Sequence, residues 1–376
     1  MLHSKGCPRI GDSPLRAGRC MLSGPNRRPH TDAMACAAAC PPLLAACAAP
    51  TPSADADTDG ASTLGRLTRW HADFDAVVAA DARIERLADG FTWSEGPTWI
   101  ADGGYLLFTD VPENRMHRWS EADGVSVYLE PSGYDGPDTG ELREAGANGL
   151  LAEPGGSVLL ADSGNRLVAR LDLVTRRKTP LAERFDGKRL NSPNDIARRS
   201  DGSVFFTDPP YGLVGMNDSP SKALDFNGVY RIAPDGGLHL LDATVPFPNG
   251  IALSPDERTL YVASSDPEAP LWYAYALDAD GTVSGRRVFA DASDLMADDA
   301  PGLPDGMTVA ADGTVFATGP GGVLVFAPDG TRLGRIETGG AISNCTFGDD
   351  GRTLYMTSDD ILARVRVQTI GPGFTR

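Results

Sequence analysis

The sequence is short of the side chains on which most hydrolytic and redox chemistry depends. It has five histidines in 376 residues, His3, His30, His71, His117 and His239, and none stands in the motif that repeats along the chain. Gly-x-Ser-x-Gly is missing, so a Ser-His-Asp triad has neither its nucleophile turn nor a central base. EF-hand and P-loop spacings are missing too. Cysteine is almost confined to the N-terminus: Cys7, Cys20, Cys36, Cys40 and Cys47 precede a body whose single cysteine is Cys345. The body therefore forms no internal disulfide, and Cys345 reads as a small buried hydrophobe. Positive charge is in deficit, 34 Lys and Arg against 51 Asp and Glu for a net charge of −17. That balance argues against nucleic acid and anionic membrane surfaces as partners. Apolar runs are short, and few segments are long or periodic enough for a helix, so the body reads as all-β.

What the chain does have is a repeat. Pro304-Asp305-Gly306-Met307-Thr308-Val309 followed by Ala311-Asp312-Gly313-Thr314-Val315-Phe316 has five relatives, built around Glu95, Asn148, Asn194, Asn249 and Asn344. Each copy reads as strand, tight turn, strand. The turn is Asp-Gly or Gly-Gly between apolar residues, and Asp256-Glu257-Arg258 in one copy. A period of roughly 40–55 residues with several strands per unit indicates a β-propeller, here six-bladed. Taken singly, an Asn or Asp before Gly starts a turn. Six equivalent oxygen-bearing positions, Glu95, Asn148, Asn194, Asn249, Asp305 and Asn344, instead make a ring aimed at the propeller axis. Two carboxylates and four amides, with no His or Cys among them, suit a hard divalent cation. Calcium fits best; zinc, magnesium and manganese are the alternatives.

Along the chain, residues 1–63 form a signal-like, low-complexity extension and residues 64–376 the propeller. The run Met34–Cys47 follows Arg27 and Arg28, is too short to span a bilayer and matches a secretory signal. Leu44-Ala45-Ala46-Cys47 resembles a bacterial lipobox, which predicts a periplasmic protein with a lipid anchor at Cys47 as its only membrane contact; a spurious upstream extension would instead leave it cytoplasmic. A monomer or dimer is expected. Residues 64–81, with Trp70, Phe74, Val77 and Val78 near helical spacing, predict one short helix. Residues 82–87 read as a strand that joins the last blade and closes the ring. Two long loop-like insertions, 130–147 and 212–227, lie next to ring residues and read either as lids over the channel mouth or as surface excursions.

Ser94-Glu95-Gly96-Pro97, Ser192-Pro193-Asn194-Asp195, Phe206-Thr207-Asp208-Pro209-Pro210-Tyr211-Gly212, Asn227-Gly228-Val229-Tyr230, Pro248-Asn249-Gly250, Pro304-Asp305-Gly306 and Asn344-Cys345-Thr346-Phe347-Gly348, in this order, resemble the gluconolactonase, regucalcin (senescence marker protein) and luciferin-regenerating enzyme family. The bacterial gluconolactonase branch is the nearest match. The resemblance covers roughly residues 83–367. It implies a six-bladed propeller holding one divalent metal, often calcium, on Glu95, Asn194, Asn249 and Asp305. It also implies substrate or supporting contacts from Asn148, Asn194, Asp195, Tyr211 and Asn344. Some members carry Arg two residues before the blade-three Asn, where it touches substrate; here that position is Ser192, so their substrate preference does not transfer.

The expected reaction is opening of a sugar lactone. A cation polarises the carbonyl and activates a water, and Asp305 takes the water's proton as general base. The alternatives are a non-catalytic propeller that binds metal or ligand and a hydrolase of other lactones or esters at the same site.

Overall fold

The computed structural model describes residues 63–296 and 300–374. The signal-like run, the lipobox and the five N-terminal cysteines lie outside them. No helix among the described residues is long and apolar enough to cross a membrane.

Six sheets of four or five antiparallel strands, with a two-stranded ribbon at Arg184–Phe185 and Lys188–Arg189, make up the body. Blade one comprises Ser94–Ile100, Tyr105–Asp110, Arg115–Ser120 and Gly124–Leu129, running from inside to outside. The innermost strands of the later blades are Leu150–Glu153, Ile196–Arg198, Pro248–Leu253, Met307–Val309 and Asn344–Gly348. Each innermost strand packs against the next, and the sixth returns to the first. The chain is thus the six-bladed β-propeller that the repeat predicts.

Apolar residues point to both faces of the middle strands, which are buried along almost their whole length, as at Val204–Asp208 and Thr353–Ser358, because each sheet is covered on both sides by its neighbours. They fall into six clusters, one at each interface between blades. Leu106, Phe108 and Trp119 of blade one meet Tyr355 and Leu362 of blade six. Phe205 and Val229 of blade three meet Leu260, Val262 and Tyr275 of blade four. No single core spans the molecule, as expected for a radial repeat.

The N-terminal strand Ile84–Asp89 pairs antiparallel with Ile361–Arg366, Ile84 opposite Val365 and Asp89 opposite Ile361. It closes the ring on blade six, as the sequence predicts. The segment before it departs from the expected single helix. It forms Thr63–Leu64 at the edge of blade six and Arg66–Arg69 at the edge of blade five, and then one helical turn, Phe74–Val77. The reason is physical. Gly65 sits at φ +65° with no room for a Cβ beside the Glu337 carbonyl, which breaks a helix there. The two blade edges also offer unpaired N–H and C=O groups that a short strand satisfies. Phe74, Val77 and Val78, whose spacing suggests a helix, still bury their side chains against blades five and six.

Candidate active site

The inner strands and the segments that lead into them carry the site, with Glu95 and Asn249 inside their strands and Asn148, Asn194 and Asp305 just before theirs, and neighbouring blades fix them. Thr109 Oγ1 in blade one donates to Asn148 O in blade two at 3.0 Å, and Thr207 Oγ1 in blade three donates to Asn249 O in blade four at 2.6 Å. Thr318 Oγ1 in blade five donates to Ser343 O in blade six at 3.0 Å, and Ser343 Oγ donates to Ser94 O in blade one at 2.6 Å. Buried hydroxyls thus tie the backbone beside the ring residues to the preceding blade. The carboxylates after two of these threonines hold the incoming loops: Asp110 accepts from Thr92 N and Trp93 N, and Asp208 accepts from Asn191 N at 2.8 Å. Repeat reading picked out the ring residues and missed this threonine and aspartate scaffold. The signal was present as Phe108-Thr109-Asp110 and Phe206-Thr207-Asp208, one strand further out.

Glu95, Asn148, Asn194, Tyr211, Asn249 and Asp305 line one cavity of about 810 Å³. Part of its wall is apolar, with Trp93, Phe247, Leu303 and Ile342. Glu95 is buried, and its Oε2 accepts Gly96 N at 2.8 Å and Asn344 Nδ2 at 3.3 Å. Gly96 has φ +53°, and a Cβ there would lie 2.2 Å from Asn148 O, so only glycine lets these two inner strands approach. Asn249 Nδ2 donates to Ser265 Oγ at 2.8 Å, and Ser265 Oγ donates to Pro304 O at 2.5 Å. This relay settles which end of the amide is which and leaves Asn249 Oδ1 buried without a partner. Asn148 Oδ1 and the Tyr211 hydroxyl are likewise buried and unpartnered.

Two expected contacts lie elsewhere. Asp195 and Asn344 line a separate depression with Leu150, Ile251, Met307 and Cys345, toward the other end of the inner strands. Asp195 lies in the segment just before Ile196–Arg198 and faces away from the cavity that Asn194 lines, because it accepts Ile196 N at 2.9 Å and Ile251 N at 3.1 Å. Asn344 turns its Oδ1 back to Cys345 N and gives its Nδ2 to Glu95. Neither side chain reaches the cavity wall, so their geometry suits support of the ring rather than contact with a substrate. Ser192 is buried, donates to Pro209 O and accepts Gly212 N; it anchors the blade-three insertion. His117 is buried between Phe91 and Phe108, away from the ring, and His239 is exposed.

The electrostatics of the ring call for positive charge. Burial pushes the Glu95 carboxyl up to about 8, with the charges of Asp195 and Glu144 adding to the rise and the Gly96 N–H and Asn344 amide opposing it. Asp305 is open to the cavity but walled by protein. Burial first, then repulsion from Glu95, Asp195 and Glu144, raises its carboxyl well above the usual range. Burial also lifts Glu144 to about 7, against the pull of Arg143. Among the described residues no three His, Cys, Asp or Glu side chains are placed to hold an ion; a cation here would need amide oxygens as well. The unpartnered Asn249 Oδ1 supplies one, and carboxylate and amide oxygens are what a hard cation takes. The donor set therefore fits a divalent cation.

Residues 93–360 match the SMP-30/Gluconolactonase/LRE-like region. A gluconolactonase of Zymomonas mobilis is 43% identical over 314 residues, 82% of this chain and 88% of that protein. The pentonolactonase XacC of Haloferax volcanii is 30% identical over 272 residues, 70% of this chain and 80% of that protein. The solved structure of a gluconolactonase from Xanthomonas campestris superposes with a TM-score of 0.70 at 34% identity, over 82% of this chain and 97% of that one.

Proposed function

The chain belongs to the SMP-30/gluconolactonase/LRE-like family, and from that premise we propose that it is a metal-dependent hydrolase that opens sugar lactones. The observation that carries the metal-dependent reading is that Glu95, Glu144, Asp305 and the unpartnered Asn249 Oδ1 belong to one cavity whose single cationic side chain among the described residues, Arg143, already stands beside Glu144.

Glu95, Asn194, Asn249 and Asp305 would hold the cation, with calcium the ion their oxygens suit best. Once bound, it supplies Lewis-acid polarisation of the lactone carbonyl and a lowered pKa for a nearby water. Asp305 takes the proton of the attacking water, because it is the ring carboxylate that remains open to the cavity. Glu95, fixed by Gly96 N and Asn344, contributes charge and does not move. Asn148 and Tyr211 present unpartnered polar atoms to the substrate. Trp93, Phe247, Leu303 and Ile342 exclude water from the other wall and pack against the C–H face of the lactone ring.

The test is acid release from D-glucono-1,5-lactone, corrected for spontaneous opening, with and without a chelator. Asp305→Ala should abolish turnover while the fold persists; near-normal activity would remove Asp305 from its role. The apolar wall favours a second reading, hydrolysis of an aromatic lactone or other ester at the same site, and a panel of lactones and esters separates the two. We also propose export with lipidation at Cys47, checked by cell fractionation of the Cys47→Ser variant.

A further inference from the structure

We propose that Arg143 and Glu144 form the wall that recognises the hydroxyl groups of a polyhydroxylated lactone, Arg143 donating to them and Glu144 accepting from them. The chemical context, a sugar lactone, rests on the reading above; the binding role rests on the two side chains themselves.

Both residues lie in the 130–147 insertion and line the same cavity as Glu95 and Asp305. The insertion is not a loose excursion. Its base is pinned by Asn114, whose Nδ2 donates to Tyr134 O at 2.8 Å and whose Oδ1 accepts Gly133 N at 2.6 Å. Its tip is stitched to the blade-three insertion. Leu142 bridges to Leu213, Arg143 N donates to Gly212 O at 2.9 Å and Val214 N donates to Glu141 O at 3.0 Å. Ser221 Oγ adds a bond to Glu141 Oε2 at 2.6 Å. Ser192 holds the partner segment at Gly212, where a Cβ would lie 2.8 Å from the Ser192 Cβ. Two insertions far apart in sequence therefore make one seam, and the seam sets Arg143 and Glu144 on the cavity wall.

Two arginines of this protein show what full pairing looks like. Arg170 holds Glu153 through two bonds of 2.6 and 3.0 Å, and Arg332 holds Asp294 through two of 2.9 Å. Arg143 is different. Its guanidinium reaches Tyr211 O at 3.4 Å, Met216 Sδ at 3.9 Å and Glu144 Oε1 at 3.4 Å. Charge-assisted bonds are normally about 2.7–2.9 Å, so most of its five donors stay available. Its side chain is 52% exposed, whereas that of Glu144 is 13% exposed. A donor fork and an acceptor side by side, in a cavity whose lining is also partly apolar, are what a ring with polar edges and C–H faces requires. A plain apolar ester would leave both charges unused.

The experiment compares D-glucono-1,5-lactone with δ-valerolactone, the same ring size without hydroxyls, in the full chain and in Arg143→Ala, Arg143→Lys and Glu144→Gln. Losing a hydrogen bond to a charged group should lower the glucono-to-valerolactone ratio of kcat/KM roughly 10- to 100-fold, mainly through KM for the sugar lactone. Arg143→Lys, which keeps charge but not the fork, should give an intermediate ratio. In parallel, calorimetry of gluconate binding should show affinity at least about tenfold weaker in Arg143→Ala than in the parent. Lactone opening with an unchanged ratio in all three variants overturns this inference alone. A parent that opens neither lactone removes the lactonase reading; gluconate binding that still depends on Arg143 then upholds the recognition wall, and binding that is absent or indifferent to Arg143 overturns it.

Discussion

Replacing Thr207 by valine tests whether the scaffold behind the ring places Asn249. Thr207 is fully buried. Its hydroxyl donates to Asn249 O at 2.6 Å and accepts Asp195 N at 3.2 Å. Asn249 lies in a bulge of its strand, between the register pairs Pro248–Ser264 and Ile251–Val262, so its carbonyl is not taken up by the regular ladder. Valine keeps the shape and removes the hydroxyl, leaving one buried acceptor and one buried donor unsatisfied. Each such orphan costs about 1–3 kcal/mol. With partial relaxation the sum is roughly 2–4 kcal/mol, a 30- to 1000-fold shift in the unfolding equilibrium.

The control is Thr207→Ser, which keeps both hydrogen bonds and gives up one methyl group, about 1 kcal/mol. Guanidinium unfolding read by intrinsic fluorescence should separate the two variants, with the midpoint moving and the slope preserved. A second readout follows from function. The displaced Asn249 backbone should weaken cation binding in the valine variant and not in the serine one. If valine and serine differ by less than about 0.5 kcal/mol, the hydroxyl does not hold the blade-four strand, and the argument that outer-strand threonines position the ring is wrong.

Other outcomes follow from the same geometry. Calcium at a hundred times its dissociation constant should add about 2.7 kcal/mol of stability, and Asn249→Leu should abolish that increment in a thermal melt; an equal increment in the variant would take Asn249 out of the ligand set. Gly96→Ala should cost at least about 2 kcal/mol, because it combines a left-handed backbone with a Cβ 2.2 Å from Asn148 O; circular dichroism melts check it. Burial raises Asp208 to about 7 in the folded protein, with Asn191 N and Arg166 opposing the rise. A carboxyl with a folded pKa above its unfolded one costs nothing below about pH 4 and destabilises progressively as pH rises to about 7. Asp208→Asn lacks that loss, so its stability relative to the parent should climb across this window, by on the order of 4 kcal/mol; denaturant unfolding at several pH values would show a flat difference if burial does not raise this group.

The propeller was legible because its signals are local and repeated. Five hairpins with Asp-Gly or Gly-Gly turns and one with Asp256-Glu257-Arg258 mark six blades, and the short apolar runs between them mark strands covered on both faces. Five of the six ring residues marked by the repeat, Glu95, Asn148, Asn194, Asn249 and Asp305, share one cavity together with Tyr211. Sequence equivalence did not carry over to every side chain, however. Asn344 occupies the same repeat position as Asn148, yet its Oδ1 is taken by its own Cys345 N–H, and that difference depends on rotamers and neighbours rather than on residue type. Asp195 is one residue from Asn194 and faces the other way. The seam between the two insertions was not legible at all. A single bridge between Leu142 and Leu213, across some seventy residues and without a periodic pattern on either side, leaves no sequence trace beyond two unusually long loops.

These features explain why the ring tolerates its own electrostatics. Glu95 and Asp305 repel each other and are stripped of water, a combination that destabilises any fold left without a counter-ion. The six apolar interfaces are independent of the ring, and the buried Thr and Ser hydroxyls fix its backbone before any ion arrives. Packing between blades therefore holds the strained charges in place, and a cation bound as proposed would relieve that strain. On this argument, affinity for the ion and stability of the ion-free fold are opposed at Glu95 and Asp305 but not at Thr207. Substitutions in the scaffold should lower both together, whereas neutralising a ring carboxylate should raise one at the expense of the other.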